Sequence, residues 1–326
     1  MSSLPQHSSD LRNTPASELD LISVAIEENP YDPNRFAHRG KLYLGNRQYQ
    51  EALSDFDRAI ELNPADGDIY GSRGNTYHTV GRHKEAVADF TRAIDLDQGA
   101  AIHFNNRANC YADLQRYDEA LADFERVFDL DPDYVEAYSN RGDVYKILRQ
   151  YELALGDFNK AIALDPSYTN AYYNRGLLYA RMSQYEKAIT DFSKLIELRP
   201  AFDANDFYTR GKTYAHMKEY AKALSDLSFA IELEPQHGFA YCDRGFVYNM
   251  LGFYENAQSD LERAIMLQPN SALNYLNLAV SLRNTGQLHE ALTSLRQALR
   301  LADSHHSPEA ARMLAEIEQS LKRGSR

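Results

Sequence analysis

Apolar residues recur along the chain at helical spacing, in paired segments separated by a short polar break. Residues 169–200 show the pattern in full. One face of a first helix is marked by Tyr172, Gly176 and Tyr179. After the polar break at residues 182–184, the face of a second helix is marked by Tyr185, Ala188, Phe192, Leu195 and Ile196. Pro200 prevents the helix from continuing, so the pattern predicts a short antiparallel helix pair.

An arginine followed by a small residue recurs at one point of the first helix. Successive arginines are 34 residues apart, except for one step of 35 between Arg175 and Arg210. Such a period is the signature of a repeat solenoid. Glycine inside a helix costs roughly 1 kcal/mol relative to alanine, so its recurrence indicates that two backbones approach closely there. The pairs are Arg39-Gly40, Arg73-Gly74, Arg107-Ala108, Arg141-Gly142, Arg175-Gly176, Arg210-Gly211 and Arg244-Gly245.

Small, aromatic and proline residues stand at fixed offsets in each unit. The first repeat has Phe36, Gly40, Tyr43, Ala52, Phe56, Ala59 and Pro64. The fourth repeat has Tyr138, Gly142, Tyr145, Ala154, Phe158, Ala161 and Pro166. The pattern resembles the tetratricopeptide repeat, and eight copies begin near residues 33, 67, 101, 135, 169, 204, 238 and 272. The resemblance implies an all-α fold, a right-handed α-solenoid (superhelix) of helix-turn-helix repeats over residues 33–302.

The segments that flank the repeats predict caps. Residues 17–32 match a second helix alone and are interpreted as an N-terminal capping half-repeat. Residues 303–326 are interpreted as a C-terminal capping helix and tail, because terminal solenoid units need a polar outer face. The apolar stripe of this helix is Ala310, Leu314, Ile317 and Leu321. Residues 1–16 are rich in serine and proline, which predicts disorder.

An aspartate follows each repeated arginine by sixteen residues, and repeat eight has Leu278 and Ser294 instead of both. Paired presence and paired loss predict a contact, interpreted as a structural ladder of partly buried ion pairs. An array of arginines that recognises an acidic ligand is the alternative, and an aspartate at every level disfavours it. The periodic tyrosines are likewise interpreted as core. The ladder is Arg39–Asp55, Arg73–Asp89, Arg107–Asp123, Arg141–Asp157, Arg175–Asp191, Arg210–Asp226 and Arg244–Asp260.

Composition excludes several classes of function. The formal net charge of −12 argues against nucleic acid, whose binding relies on basic surface. No apolar run approaches the roughly eighteen residues of a membrane helix, so membrane insertion is not expected. The first residues lack the apolar core of a secretory signal. Cys110 and Cys242 are about four repeats apart and are not expected to pair, which fits a cytoplasmic protein.

The sequence shows no motif of catalysis. A glycine-rich phosphate loop, a nucleophile elbow and a histidine pair at metal-ligand spacing are all missing from it. His305 and His306 are expected to be solvated, and the other histidines have no cysteine or carboxylate at ligand spacing. We therefore expect no enzyme activity, no catalytic residue, no cofactor and no metal. An active site built from side chains far apart in sequence is the remaining alternative.

The family resemblance implies that first helices line a concave face that binds an extended peptide or partner helix. The row Asn106, Asn140 and Asn174 is similar to the asparagine ladder of O-linked N-acetylglucosamine transferases and importin-like solenoids, whose carboxamides hydrogen-bond a peptide backbone. Equally, asparagine is common at this position in such repeats. No transferase activity is implied. The peptide-binding residues expected on this face are Asn105, Asn106, Asn109, Asn140, Asp143, Tyr173, Asn174 and Leu177.

An apolar patch is expected on the inner face of the last repeats, formed by Phe239, Phe246, Leu273 and Leu276. It is either a partner site or, as we favour, the seat of the C-terminal capping helix. The co-chaperone type of repeat that clamps a heat-shock C-terminal tail is disfavoured, because the matching inner positions carry only Lys41 and Lys212.

Together these features predict a non-catalytic scaffold or adaptor that binds a protein or peptide in the concave groove. The alternative is self-association, or complex assembly through the solenoid ends or convex face, so that a homo-oligomer remains open.

Overall fold

The computed structural model describes residues 17–301 and 307–324, and no strand is found among them. The all-α fold of tandem helix pairs predicted from the sequence is confirmed. The disorder predicted for residues 1–16 and the solvated state predicted for His305 and His306 lie outside the described residues. No helix in the described part of the chain combines the length and apolar character needed to cross a bilayer.

The chain divides into two compact units, residues 1–157 and residues 158–326, with the boundary inside helix α9. In the first unit each helix up to residue 147 packs against the next along the chain. Its helices are α1 (Glu18–Glu28), α2 (Pro33–Gly45), α3 (Tyr49–Leu62), α4 (Gly67–Thr79), α5 (His83–Leu96), α6 (Ala101–Asp113), α7 (Tyr117–Leu130), α8 (Val135–Ile147) and the first part of α9 (Tyr151–Leu164).

From residue 169 onward, each helix of the second unit likewise packs against the next. Its helices are the remainder of α9, α10 (Thr169–Arg181), α11 (Tyr185–Leu198), α12 (Ala204–His216), α13 (Tyr220–Leu233), α14 (Gly238–Leu251), α15 (Tyr254–Leu267), α16 (Ala272–Asn284), α17 (Leu288–Leu301) and α18 (Ser307–Gly324).

The turn between the two helices of a repeat contains one residue in the left-handed region. At the polar break predicted after α10, Ser183 has φ 58°, and the next N–H, of Gln184, donates to the Tyr179 carbonyl at 2.8 Å. Such bonds satisfy carbonyl groups that the end of a helix leaves without a partner. The left-handed residues of the other repeats are Arg47, Gly81, Gln115, Arg149, Lys218, Gly252 and Gly286.

The core of a repeat is a large side chain of the second helix packed on the glycine of the first. Phe192 in α11 is completely buried. A Cβ atom at Gly176 in α10 would lie 2.6 Å from its ring. This distance is shorter than any van der Waals contact, which explains the glycine that the helix interior otherwise disfavours. Ala188 in α11 is also fully buried, so the two helix backbones approach closely where the sequence predicted.

All seven predicted Arg–Asp pairs are present, which confirms the contact inferred from their fixed spacing. In each pair Nε and Nη2 of the arginine donate to the two carboxylate oxygens of the aspartate, at distances of 2.6–2.9 Å. The aspartates are buried and the arginine side chains are 15–21% exposed. This bidentate geometry fixes the first helix of a repeat to the second.

The remaining nitrogen of each arginine reaches back to the preceding helix pair. Arg107 Nη1 donates to Thr91 Oγ1 in α5 at 3.1 Å, and Arg39 Nη1 donates to Ser23 Oγ in α1 at 3.3 Å. Each guanidinium therefore ties together three helices, and it also lies 5.6–5.9 Å from aromatic rings one turn before or after it on its own helix. In the other repeats Nη1 donates to Asp57, Glu125, Asn159, Ser193 and Ser228.

Helix α18 covers the final repeat of the second unit. It packs on α17 and buries Ala310, Met313 and Ile317 in the same core as Leu295. Leu314 packs against this core as well, whereas the side chain of Leu321 lies outside the described residues. Ala310 and Ile317 of the predicted apolar stripe are thereby removed from water.

Candidate peptide-binding surface

The first unit contains a groove of about 410 Å³ along its first helices. It is built by α4, α6 and α8, which contribute one or more polar side chains each. Three of its residues, Asn109, Asn140 and Asp143, are among those that the sequence placed on the ligand-binding face. The full lining is His78, Asn109, Ala112, Asp113, Asn140, Asp143, Val144, Lys146 and Ile147.

A network of carboxamides crosses these same helices. Asn106 Nδ2 donates to Asn75 Oδ1 at 3.0 Å, which links α6 to α4. Asn105 Nδ2 donates to Asn106 Oδ1, and Asn140 Nδ2 of α8 donates to Asn105 Oδ1, both at 3.1 Å. A carboxamide has two N–H donors and two acceptor positions, so these bonds fix the orientation of each group without exhausting its capacity.

The position of Asn105 corrects one expectation. Its side chain was expected on the ligand-binding face, but it is only 3% exposed. Asn105 instead lies beneath the surface, where it holds Asn106 and Asn140 in place. Asn106 and Asn140 belong to one network in the first unit, whereas Asn174 lies half-buried on α10 in the second unit.

A second groove, of about 430 Å³, lies in the second unit. Tyr173 and Leu177, both expected on the ligand-binding face, line its wall. Lys212 Nζ lies 5.8 Å from the centre of the Tyr208 ring, and His216 stacks on Tyr185 with 5.6 Å between ring centres. The groove therefore offers aromatic faces next to a cation. Its lining is Tyr173, Leu177, Ala180, Arg181, Ser183, Tyr185, Tyr208, Thr209, Lys212, Thr213 and His216.

The carboxyl group of Asp243 lies near Lys212 and Tyr208 of this groove. Burial raises the pKa of its carboxyl, while Lys212 and a hydrogen bond from the Tyr208 hydroxyl lower it. Burial likewise raises the pKa of Tyr208. Asp243 was not predicted from the sequence, although it occupies the position of the asparagine row one repeat after Thr209. Its oxygen Oδ2 is buried and has no hydrogen-bond partner among the described residues.

The predicted apolar patch is only partly present. Phe239, Phe246 and Leu273 are 59%, 37% and 40% exposed, so helix α18 does not cover them. The interpretation that we favoured, in which these residues seat the C-terminal capping helix, is therefore wrong for these three. Leu276 was expected beside them but is 5% exposed and belongs to the core of the last repeats. The ring centre of Phe239 lies 6.5 Å from that of Tyr208, which extends the aromatic surface of the second groove.

Sequence models of one repeat family match most of the chain. A model described as TPR repeat matches residues 108–148. Models described as tetratricopeptide repeat match residues 39–101, 135–168, 169–202, 240–271 and 275–308. The chain belongs to the tetratricopeptide repeat family. Two grooves of this TPR protein are candidate functional surfaces, because each is lined by residues that were expected on the ligand-binding face.

Solved structures of other TPR proteins share the fold. A tetratricopeptide repeat protein from Parabacteroides merdae ATCC 43184 has a TM-score of 0.57 and 21% identity, over 77% of this chain and 98% of that one. Cut9–Hcn1, an APC/C hetero-tetramer, has a TM-score of 0.61 and 16% identity, over 92% of this chain and 58% of that one. YrrB, described as a TPR protein with an unusual peptide-binding site, has a TM-score of 0.50 and 22% identity, over 60% of this chain and 97% of that one.

At such identities the likeness shows the fold alone. A search of curated proteins gives no match.

One further cluster of this TPR protein was not predicted from the sequence. His78, His83 and Cys110 come together in the first unit, although their spacing along the chain matches no common metal motif. Asp113 also belongs to this cluster, because the Oδ2 atom of Asp113 lies 2.8 Å from His78 Nε2. Repeat stacking, rather than local spacing, creates this cluster.

Proposed function

We propose that this TPR protein is a non-catalytic adaptor that binds an extended segment of another protein along its first helices. The observation that carries the proposal is the carboxamide network formed by Asn75, Asn105, Asn106 and Asn140 at a groove of the first unit. Oriented carboxamides can both donate to and accept from a peptide backbone, whose N–H and C=O groups alternate. Pre-formed orientation lowers the ordering cost of binding on the receptor side.

In this proposal the second groove selects among the side chains of the ligand. Tyr173, Leu177 and Tyr208 form an apolar and aromatic wall, and Lys212 lies beside it. Such a wall favours a ligand that presents an aliphatic or aromatic side chain, because desolvated aromatic pockets are where binding energy concentrates. The YrrB structure, described as containing a peptide-binding site, supports a peptide as the ligand class for this fold.

The test is selection of peptides from a random extended library, followed by fluorescence anisotropy with the purified chain. Replacing Asn106 and Asn140 together by alanine should weaken binding of the selected peptides at least tenfold, because each substitution removes hydrogen bonds to the peptide backbone. Asn256→Ala, an exposed asparagine in α15, is the matched control and should bind as the wild type does. Equal affinity of the double variant, with its circular dichroism unchanged, refutes the role of the network.

A second candidate function is assembly of several copies of the chain. Its support is the exposure of Phe239, Phe246 and Leu273, since contiguous exposed apolar side chains often mark protein interfaces. The molar mass measured by light scattering should then rise with concentration for the wild type. Phe239→Ser/Phe246→Ser should remain monomeric, and a concentration-independent mass of the wild type excludes this candidate.

A further inference from the structure

Three metal-ligating side chains converge in the first unit from three successive helices. His78 lies near the end of α4, His83 begins α5, and Cys110 lies in α6. One ring nitrogen of each histidine and the Sγ atom of Cys110 all lie within 4.8 Å of one another. The histidine rings are 5.3 Å apart between centroids and inclined at 66°, so they do not stack face to face.

These residues depart from the repeat pattern of the chain. The position of His83 at the start of the second helix is tyrosine in six other repeats. The position of Cys110 is leucine or valine in four other repeats, and threonine or serine in the rest. Packing of the repeat therefore requires neither residue, and the two exceptions meet in space. The tyrosines are Tyr49, Tyr117, Tyr151, Tyr185, Tyr220 and Tyr254.

The surroundings of the cluster have two further features of a metal site. His83 Nδ1 is buried and has no hydrogen-bond partner among the described residues, which is costly for a polar atom. Asp113 Oδ2 lies 2.8 Å from His78 Nε2 and 3.5 Å from His83 Nδ1. A carboxylate that contacts a ligating imidazole orients the ring and raises its basicity as a ligand.

We propose that His78, His83 and Cys110 bind one zinc ion, with a water molecule completing four-coordination and Asp113 orienting the imidazoles. Two imidazole nitrogens and a thiolate form a mixed nitrogen and sulfur ligand set, which suits Zn²⁺. A tetrahedral site with Zn–N of about 2.0 Å and Zn–S of about 2.3 Å requires ligand atoms roughly 3.5 Å apart. The three ligand atoms lie within 4.8 Å of one another, so rotation of the side chains brings them closer when one ion binds all three. The ion displaces the thiol proton of Cys110, which passes to solvent.

The ion has an open path to this site. Cys110 is completely buried, whereas the side chains of His78 and His83 are 37% and 28% exposed. The imidazoles thus stand between the thiol and the solvent, and the ion enters past them. Once bound, it links α4, α5 and α6, which belong to the second and third repeats. Zinc therefore acts as a clasp between two neighbouring repeats, at a site whose His78 and Asp113 also line the groove of the first unit.

The test uses the full chain, freed of metal by a chelator and kept reduced, with Zn²⁺ alone as the probe. Mass spectrometry of metal content after dialysis should give one zinc per chain, and competition with a chromophoric chelator should give its affinity. Zinc should also raise the melting temperature of the wild type, because it binds only the folded chain. Cys110→Ala and His83→Gln should each bind zinc at least tenfold more weakly and lose the rise in melting temperature.

Cobalt substitution identifies the ligands directly. The Co²⁺ form of the wild type should show the visible bands of a tetrahedral ion and a thiolate-to-cobalt charge-transfer band in the near ultraviolet. The charge-transfer band should vanish in Cys110→Ala and persist in Cys242→Ala, which removes the other buried thiol. His289→Gln, at an exposed histidine, controls for surface binding. Less than one zinc per wild-type chain, or an unchanged affinity in both His83→Gln and Cys110→Ala, overturns the proposal.

Discussion

Arg107 holds Asp123 through two parallel hydrogen bonds of 2.7 Å, from Nε and from Nη2. The same guanidinium reaches Thr91 of the preceding repeat, so one side chain fixes three helices at once. Repeat eight replaces the pair with Leu278, which is buried in the core of the last repeats, and with Ser294. Repeat eight therefore packs the same two positions without an ion pair.

The comparison with repeat eight predicts how substitutions at Arg107 and Asp123 combine in their effect on the free energy of unfolding. Asp123→Ser should lower the free energy of unfolding by roughly 3 kcal/mol, because Arg107 is left largely buried without its counter-charge. Arg107→Leu/Asp123→Ser, which copies repeat eight, should lose much less than the single variant. Urea unfolding of the four members of this double-mutant cycle measures the difference. A double variant less stable than Asp123→Ser contradicts the prediction.

Two glycines within helices should respond in opposite ways to alanine. Gly176→Ala places a methyl group 2.6 Å from the buried ring of Phe192 and should destabilise the chain by about 1 kcal/mol. A methyl group at Gly156 in α9 would lie in open space. Apart from the backbone of its own helix and its two chain neighbours, no heavy atom of the described residues would be within 4 Å of it. Gly156→Ala should therefore stabilise by up to about 1 kcal/mol through helix propensity. Thermal melting of both variants, compared with the wild type, checks the opposite signs.

The carboxyl of Asp206 should titrate far above its ordinary range. Burial and the charge of Asp203 raise its pKa from 3.8 to about 6, although the charge of Arg199, 3.1 Å away, lowers it. Between these two values the folded chain binds more protons than the unfolded chain, so this group makes stability fall as pH rises from about 4 to 6. Carboxyl NMR should place the midpoint near 6, and Asp206→Asn should remove this part of the pH dependence of urea unfolding.

A midpoint below about 4.5 for Asp206, within the ordinary range of an aspartate, contradicts the prediction. Asp203→Asn should shift the midpoint of Asp206 downward, because the charge of Asp203 is one of the causes that raise its pKa. It should still leave most of the slope between about pH 4 and 6 in place, because burial is the larger cause.

The capping helix should contribute strongly to the stability of the second unit. Ile317 is 2% exposed and packs into the core formed with α17, so Ile317→Ala should lower the free energy of unfolding by about 2–4 kcal/mol. Gln319→Ala changes an exposed position of the same helix and should have little effect. Denaturant unfolding measures both, and a loss below about 1 kcal/mol for Ile317→Ala shows that the helix is not a structural cap.

The sequence determined everything that repeats. Because every unit has the same pattern, an arginine and an aspartate sixteen residues apart occupy the same two helices each time, and one contact implies seven. The same argument located the glycines that face buried rings and the polar breaks, such as Ser183, where the chain turns. A fixed offset within a helix pair is a local geometry, and local geometry can be derived from spacing alone.

Only the tertiary structure decided what neighbouring repeats bring together. Asn106 meets Asn75, and Cys110 meets His78, across separations of about one repeat. Nearly every first helix carries polar side chains, so the sequence alone does not show which of them contact one another across neighbouring repeats. Small differences in how two helix pairs stack determine whether a side chain such as Asn105 or Leu276 is buried or faces a ligand. The periodic residues determine how the helix pairs stack. That stacking in turn determines which non-periodic side chains lie next to one another.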